Sequence, residues 1–154
     1  MDSIRRVVSK RIGEILLEAR VIDVAQLDEA LEVQSREGGL IGSILVRLGF
    51  AKEADIVEAF ALQYGIPYLP LENYRINPDV IQFIPYEMAK THCLIPVDKI
   101  QNVLTITMAH PLLTDVIEEI ERAKGCLVQT FVSTESDIYR AIERMYTDRS
   151  GPKA

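Results

Sequence analysis

Two glutamines and one arginine in the first half of the chain have side chains suited to binding a small polar ligand. Gln34 and Gln63 each lie one helical turn beyond an apolar residue, at the same place in an internal repeat. An amide is an unusual choice there for packing alone, because it both donates and accepts hydrogen bonds. Arg11 adds a planar cation. These residue types allow a small anionic ligand, which needs only one or two well-placed cations.

The three side chains belong to a tandem repeat with a spacing of 29 residues, which carries Gly13 to Gly42. Within each copy, apolar residues recur every three or four positions in two stripes, a pattern that predicts a helix, a turn and a second helix. Asp23 and Gln26 have the spacing of a capping box at the start of one helix. The sequence therefore predicts a helical subdomain of four short helices over residues 1–66.

The apolar pattern changes over residues 67–146. Segments 94–99 and 103–108 predict a β-hairpin, whose first strand lies at a sheet edge because Pro96 cannot donate a backbone hydrogen bond. A helix, a third strand and a final helix follow, which predicts a small α/β subdomain. The predicted fold class is α+β, with the four-helix subdomain first and a flexible tail at 147–154.

Composition and motifs argue against several other classes of protein. The chain is 48% apolar and 26% charged, as in globular proteins, and its net charge of -6 argues against DNA or RNA binding. No apolar run approaches the roughly 20 residues that cross a bilayer. No phosphate-binding Gly-x-x-x-x-Gly-Lys-Ser/Thr motif is present. His92 and Cys93 have no second pair at metal-ligand spacing. We expect no enzyme, no catalytic residue and no metal site.

The repeat resembles the motif of the MshE N-terminal (MshEN) family, the domain that precedes type II secretion and type IV pilus ATPases. That motif consists of Arg-Leu-Gly, an aliphatic pair, a turn glycine, and then Leu, Leu and Gln on the next helix. The first copy resembles it at Arg11, Ile12, Gly13, Leu16, Leu17, Leu27, Leu31 and Gln34. The second copy resembles it at Ile41, Gly42, Leu45, Val46, Gly49, Ile56, Phe60 and Gln63. The α/β half also looks like the rest of that domain.

The resemblance implies that the two copies together bind one molecule of cyclic di-GMP, with no other cofactor. This ligand joins two guanosines in a ring with two phosphates, so two similar helical units could each bind one half. Gly13 and Gly42 would let backbone N–H groups approach it, and Arg11 would bind a guanine edge or a phosphate. The residues implied to bind the ligand are Arg11, Ile12, Gly13, Leu27, Leu31, Gln34, Ile41, Gly42, Ile56, Phe60 and Gln63.

Three positions depart from the pattern of the family. Arg20 replaces the first turn glycine, which predicts an altered turn, Leu40 replaces the second arginine, and His110 replaces an aspartate before Pro111. These departures favour an alternative, a protein-docking adaptor without nucleotide binding. A stand-alone response protein is a third interpretation. The implied partner is a motor ATPase or an inner-membrane platform protein, and the expected location is the cytoplasm, peripheral to the inner membrane through such a partner.

Overall fold

Four helices lie in the described part of the first of two compact units, which ends at Gly65. The computed structural model describes residues 11–111 and 113–150. Helix α1 is described over residues 11–18. The helices that follow it are α2 (Val24–Glu37), α3 (Ile41–Arg47) and α4 (Glu53–Tyr64). The two predicted helix-turn-helix copies are therefore confirmed.

Local hydrogen bonds explain where α2 and α4 begin. The predicted capping box is present: Gln26 N–H donates to the Asp23 side chain at 2.8 Å, and Asp23 N–H donates to Gln26 Oε1 at 2.9 Å. At the start of α4, Lys52 N–H donates to Asp55 Oδ2 at 3.0 Å. The apolar faces of the four helices share one core, formed by Ile12, Leu16, Ile22, Leu27, Ala30, Val33, Ile41, Ile44, Leu45, Ile56 and Ala59.

The second unit, from Ile66 onward, contains a three-stranded sheet in the order β1-β2-β3. Its strands are β1 (Leu94–Ile100), β2 (Val103–Met108) and β3 (Leu127–Val132). Its α-helices are α5 (Tyr86–His92), α6 (Thr114–Lys124) and α7 (Glu135–Ser150), and its 3-10 helices are Leu71–Asn73 and Pro78–Phe83. The predicted hairpin is confirmed, with Pro96 on edge strand β1. Strands β2 and β3 are parallel, and α6 supplies the crossover connection that parallel pairing needs. The α+β fold class is confirmed.

A buried polar network ties the start of the second unit to the end of its sheet. Leu69 N–H donates to the Val132 carbonyl at 2.8 Å, and Val132 N–H donates to the Pro67 carbonyl at 2.9 Å. Ser133 Oγ donates to the Leu69 carbonyl at 2.7 Å and is itself hydrogen bonded to Thr107 Oγ1. The segment that follows the first unit is therefore held along the outer edge of β3.

The end of the chain differs from its predicted boundary. Helix α7 continues to Ser150, so the predicted tail, residues 147–154, begins inside a helix, and residues 151–154 lie outside the described residues. The first Gly-Pro pair after α7 is at 151–152, and no helix-breaking residue precedes it in the helix. None of the helices that the structure describes is long and apolar enough to cross a bilayer.

Candidate ligand-binding site

The turns within the two copies have the same hydrogen bonds, at positions 29 residues apart. In the first copy, Val21 N–H donates to the Leu16 carbonyl at 3.0 Å. In the second copy, Phe50 N–H donates to the Leu45 carbonyl at 2.9 Å. In each turn, the N–H of the preceding residue also donates to the carbonyl three residues earlier. This pair of bonds is the Schellman arrangement, which ends a helix with one residue in the left-handed conformation.

That left-handed position is Arg20 in the first copy and Gly49 in the second. Their φ angles are 59° and 81°, respectively. The prediction that Arg20 alters the first turn is therefore wrong, because the arginine adopts the conformation that glycine has in the other copy. A residue with a Cβ atom pays about 1 kcal/mol for this conformation. The first turn therefore has the same shape as the second, but the strained arginine backbone lowers the stability of the fold.

The two motif glycines allow the two helices of each copy to pack closely. A Cβ atom on Gly13 would lie 2.8 Å from Leu27 Cδ2, and one on Gly42 would lie 2.6 Å from Ile56 Cγ2. Both distances are shorter than a carbon–carbon contact allows. Leu27 and Ile56 occupy the same position in the two copies. The glycines thus have a packing role, which the sequence analysis did not foresee.

The apolar residues implied to bind the ligand divide into two groups. Four of them have side chains buried in the core of the first unit: Ile12, Leu27, Ile41 and Ile56. Leu31 and Phe60 pack against the edge of that core and are half-buried. In this conformation, only Leu31 and Phe60 among these six present side-chain area to a ligand, while the buried four hold the helices together.

The three polar side chains differ in what they contact. Arg11 is exposed and forms no ion pair with any residue that the structure describes. Gln34 is half-buried, and its Nε2 donates to the Gly39 carbonyl at 3.0 Å. This bond fixes the short segment between α2 and α3. Gln63 is also half-buried, but its Oε1 atom is buried with no hydrogen-bond partner among the described residues. The two equivalent glutamines are therefore not equivalent in their bonding.

Tyr64, which the sequence analysis did not single out, lies beside these residues. Its ring packs against Phe60 with centroids 6.1 Å apart and an interplanar angle of 51°. Its hydroxyl is buried without a hydrogen-bond partner in the described part of the chain, and burial raises the pKa of Tyr64. The spacing of four residues from Phe60 could have indicated it. Comparison of the two copies did not indicate Tyr64, because the equivalent residue of the first copy is Ser35.

His110, the third departure from the motif, lies in the second unit. Its Nε2 is 3.4 Å from Glu135 Oε2 at the start of α7. Burial lowers the pKa of His110, and the Glu135 carboxylate opposes that shift. Burial is the larger cause, so the histidine is mainly neutral near pH 7 despite its acidic neighbour. Across residues 11–111 and 113–150, acidic, histidine and cysteine side chains form no cluster of three that could hold a metal ion.

Three relatives match nearly all of the chain. The type IV pilus assembly ATPase PilB of Myxococcus xanthus is 33% identical over 94% of it, and PilB of Thermus thermophilus is 30% identical over 97%. Type II secretion system protein E of Xanthomonas campestris is 28% identical over 92%. The chain spans 25%, 17% and 26% of the lengths of these relatives, respectively.

Two solved structures have the same α+β fold. The N-terminal domain of XpsE is 26% identical with a TM-score of 0.71, covering 88% of this chain and 93% of that one. A structure of MshE with cdg is 23% identical with a TM-score of 0.77, covering 88% of this chain and 99% of that one. A family model described as the MshEN domain matches residues 64–152, so its match lies almost wholly in the second unit. This chain belongs to the MshEN domain family.

Proposed function

We propose that this chain binds cyclic di-GMP in the cytoplasm as a regulatory module of a type IV pilus or type II secretion ATPase. The observation that carries the proposal is the equivalence of the two copies, which share their turn hydrogen bonds and their glycine-to-aliphatic contact. A duplicated backbone suits a ligand that is itself a doubled nucleotide. MshE, which has the same fold, was solved with cdg, an abbreviation that we take to denote cyclic di-GMP.

The side chains of the first unit suggest how such a ligand would be held. The half-buried Leu31 and Phe60 offer apolar area for bases. Arg11 is exposed without an ion pair to a described residue, so its guanidinium is available for a guanine edge or a phosphate. Leu40 stands at the equivalent position of the second copy and supplies no charge. We therefore expect the Arg11 guanidinium to contact one half of the ligand, and no cation to contact the other half at the equivalent position.

Calorimetry with cyclic di-GMP tests this proposal. Arg11→Ala and Gln63→Ala should each weaken binding by about 1–3 kcal/mol, the usual contribution of a bidentate contact to a base. Arg144→Ala and Gln129→Ala remove the same functional groups from exposed positions of the second unit and should leave the affinity unchanged. Equal affinities for the wild type and both first-unit variants would remove these residues from the site.

One observation favours a second function, that of a docking adaptor for a motor ATPase or an inner-membrane platform protein. Leu40 is 45% exposed where the family motif has an arginine, so a large apolar side chain faces solvent directly before α3. On this alternative, the purified chain does not bind guanine nucleotides and does bind a membrane-platform component. Leu40→Glu should abolish that capture, whereas Ile100→Glu, at another exposed apolar position, should not.

A further inference from the structure

The end of α4 contains two polar atoms whose hydrogen-bonding capacity is unused. Gln63 Oε1 and Tyr64 Oη are both buried, and neither has a hydrogen-bond partner among the described residues. Buried polar atoms of this kind are uncommon in folded proteins, because each loses its bonds to water without replacing them. Here the amide oxygen can only accept, whereas the hydroxyl can donate. An acceptor and a donor on two consecutive residues are thus left for a group outside the described chain.

These two residues share a helix face with an aromatic side chain. Gln63 and Tyr64 lie three and four residues after Phe60 on α4, which places each of them beside Phe60 on the helix surface. The rings of Phe60 and Tyr64 are in contact at 6.1 Å between centroids. Phe60 is half-buried at the edge of the core, so the aromatic pair extends the apolar area that it offers. Aromatic faces of this kind stack on nucleotide bases.

We propose that Tyr64 is a further nucleotide-binding residue, whose ring extends the Phe60 surface and whose hydroxyl donates to an acceptor on the guanine base. Gln63 Oε1 accepts from the N–H groups of the same base. This inference rests on the proposed function and adds a residue outside the repeated motif. The hydroxyl is shielded in this conformation, so the Tyr64 side chain rotates when the base enters. Gly65 ends the helix with φ at +67°, and apart from its two chain neighbours no atom of the described residues lies within 4 Å of where its Cβ would be, which leaves room there.

The test is Tyr64→Phe, measured both by thermal unfolding and by titration with cyclic di-GMP. Removing an unpaired buried hydroxyl should raise the melting temperature by about 2–4 °C, because the variant no longer buries a polar group that has lost its hydrogen bonds to water. The same change should weaken cyclic di-GMP binding about tenfold, as expected for one lost hydrogen bond in a dry site. Tyr64→Leu, which also removes the ring, should weaken binding further. A purely structural tyrosine would not give this combination of a gain in stability and a loss of affinity.

Tyr146→Phe is the matched control in the second unit. Its hydroxyl is buried and donates to the Ile84 carbonyl at 2.7 Å, so the variant should melt at a lower temperature and bind cyclic di-GMP as the wild type does. A Tyr64→Phe chain that binds as tightly as the wild type, or that melts lower, overturns the role of Tyr64 while leaving the proposed function intact. A wild-type chain that does not bind cyclic di-GMP overturns the proposed function, and this inference with it.

Discussion

The two units differ in how they use their buried polar atoms. In the second unit, Thr107 and Ser133 are fully buried and hydrogen bonded to each other, and Ser133 also donates to the Leu69 carbonyl. In the first unit, Gln63 Oε1 and Tyr64 Oη are buried without a partner among the described residues. The second unit thus uses these polar groups to stabilise its own fold, whereas the first leaves such groups available. This difference supports a structural role for the hydroxyl pair of the second unit and the proposed ligand binding by the first unit.

The largest effect should follow from breaking the hydroxyl network of the second unit. Ser133→Ala removes the acceptor for Thr107 and the donor to Leu69, so two buried polar groups lose their partner. The free energy of unfolding should fall by about 2–3 kcal/mol in urea denaturation. Ser43→Ala, at an exposed position of α3, should change it by less than about 0.5 kcal/mol. Similar stabilities for the two variants would refute the structural role of the network.

The two motif glycines should differ when each is replaced by alanine. The new Cβ in Gly42→Ala meets Ile56 Cγ2, a methyl bound directly to Cβ that cannot move aside, so unfolding free energy should fall by about 2 kcal/mol. In Gly13→Ala the new atom meets the flexible end of Leu27, and the higher helix propensity of alanine offsets much of the cost. Adding Ile56→Leu to Gly42→Ala should restore part of the loss. Equal losses for the two glycines would contradict this packing account.

The shared turn geometry predicts opposite effects at equivalent positions. Arg20→Gly should stabilise the chain by about 1 kcal/mol, because glycine adopts the left-handed conformation without strain. Gly49→Ala should destabilise it by a similar amount, because alanine introduces the strain that Arg20 already has. Urea denaturation of the two variants measures both. A destabilised Arg20→Gly chain would mean that the arginine side chain contributes more than its backbone costs.

The smallest effect should be a pH dependence from the second unit. Because burial lowers the pKa of His110 in the folded chain, its contribution to stability is complete above the unfolded pKa of about 6.5. That contribution is lost as the pH falls from there through the folded pKa. Unfolding free energies measured between pH 8 and about pH 5 should therefore decline more steeply for the wild type than for His110→Gln. A shallower decline for the wild type would mean that the Glu135 pairing outweighs burial.

Local signals in the sequence predicted most of the secondary structure. The Asp23 and Gln26 capping box, the hairpin and the position of Pro96 on an edge strand all depend on residues close in sequence, and the structure contains each of them. The tandem repeat likewise predicted four helices with a common core. Features that depend on distant residues could not be predicted this way. The pairing of the segment after Gly65 with Val132 is one example.

The candidate site was predicted less completely than the fold. The motif identified Gln34 and Gln63 as equivalent, but hydrogen bonding distinguishes them, since Gln34 donates to Gly39 and Gln63 Oε1 has no partner among the described residues. Periodicity also cannot tell a ligand-facing aliphatic residue from a core residue, and Ile12 is fully buried. Tyr64 has no polar or aromatic counterpart of its size in the first copy, so the repeat gave no signal for it.

On the proposed function, the two helical copies together hold a single cyclic dinucleotide. Titration calorimetry of the purified chain with cyclic di-GMP measures the number of ligands bound per chain, and this stoichiometry reports whether the copies act as one site. We predict one ligand per chain, with binding lost in the Arg11→Ala and Gln63→Ala double variant. Two independent ligands per chain, or no heat of binding at millimolar ligand, would contradict the account.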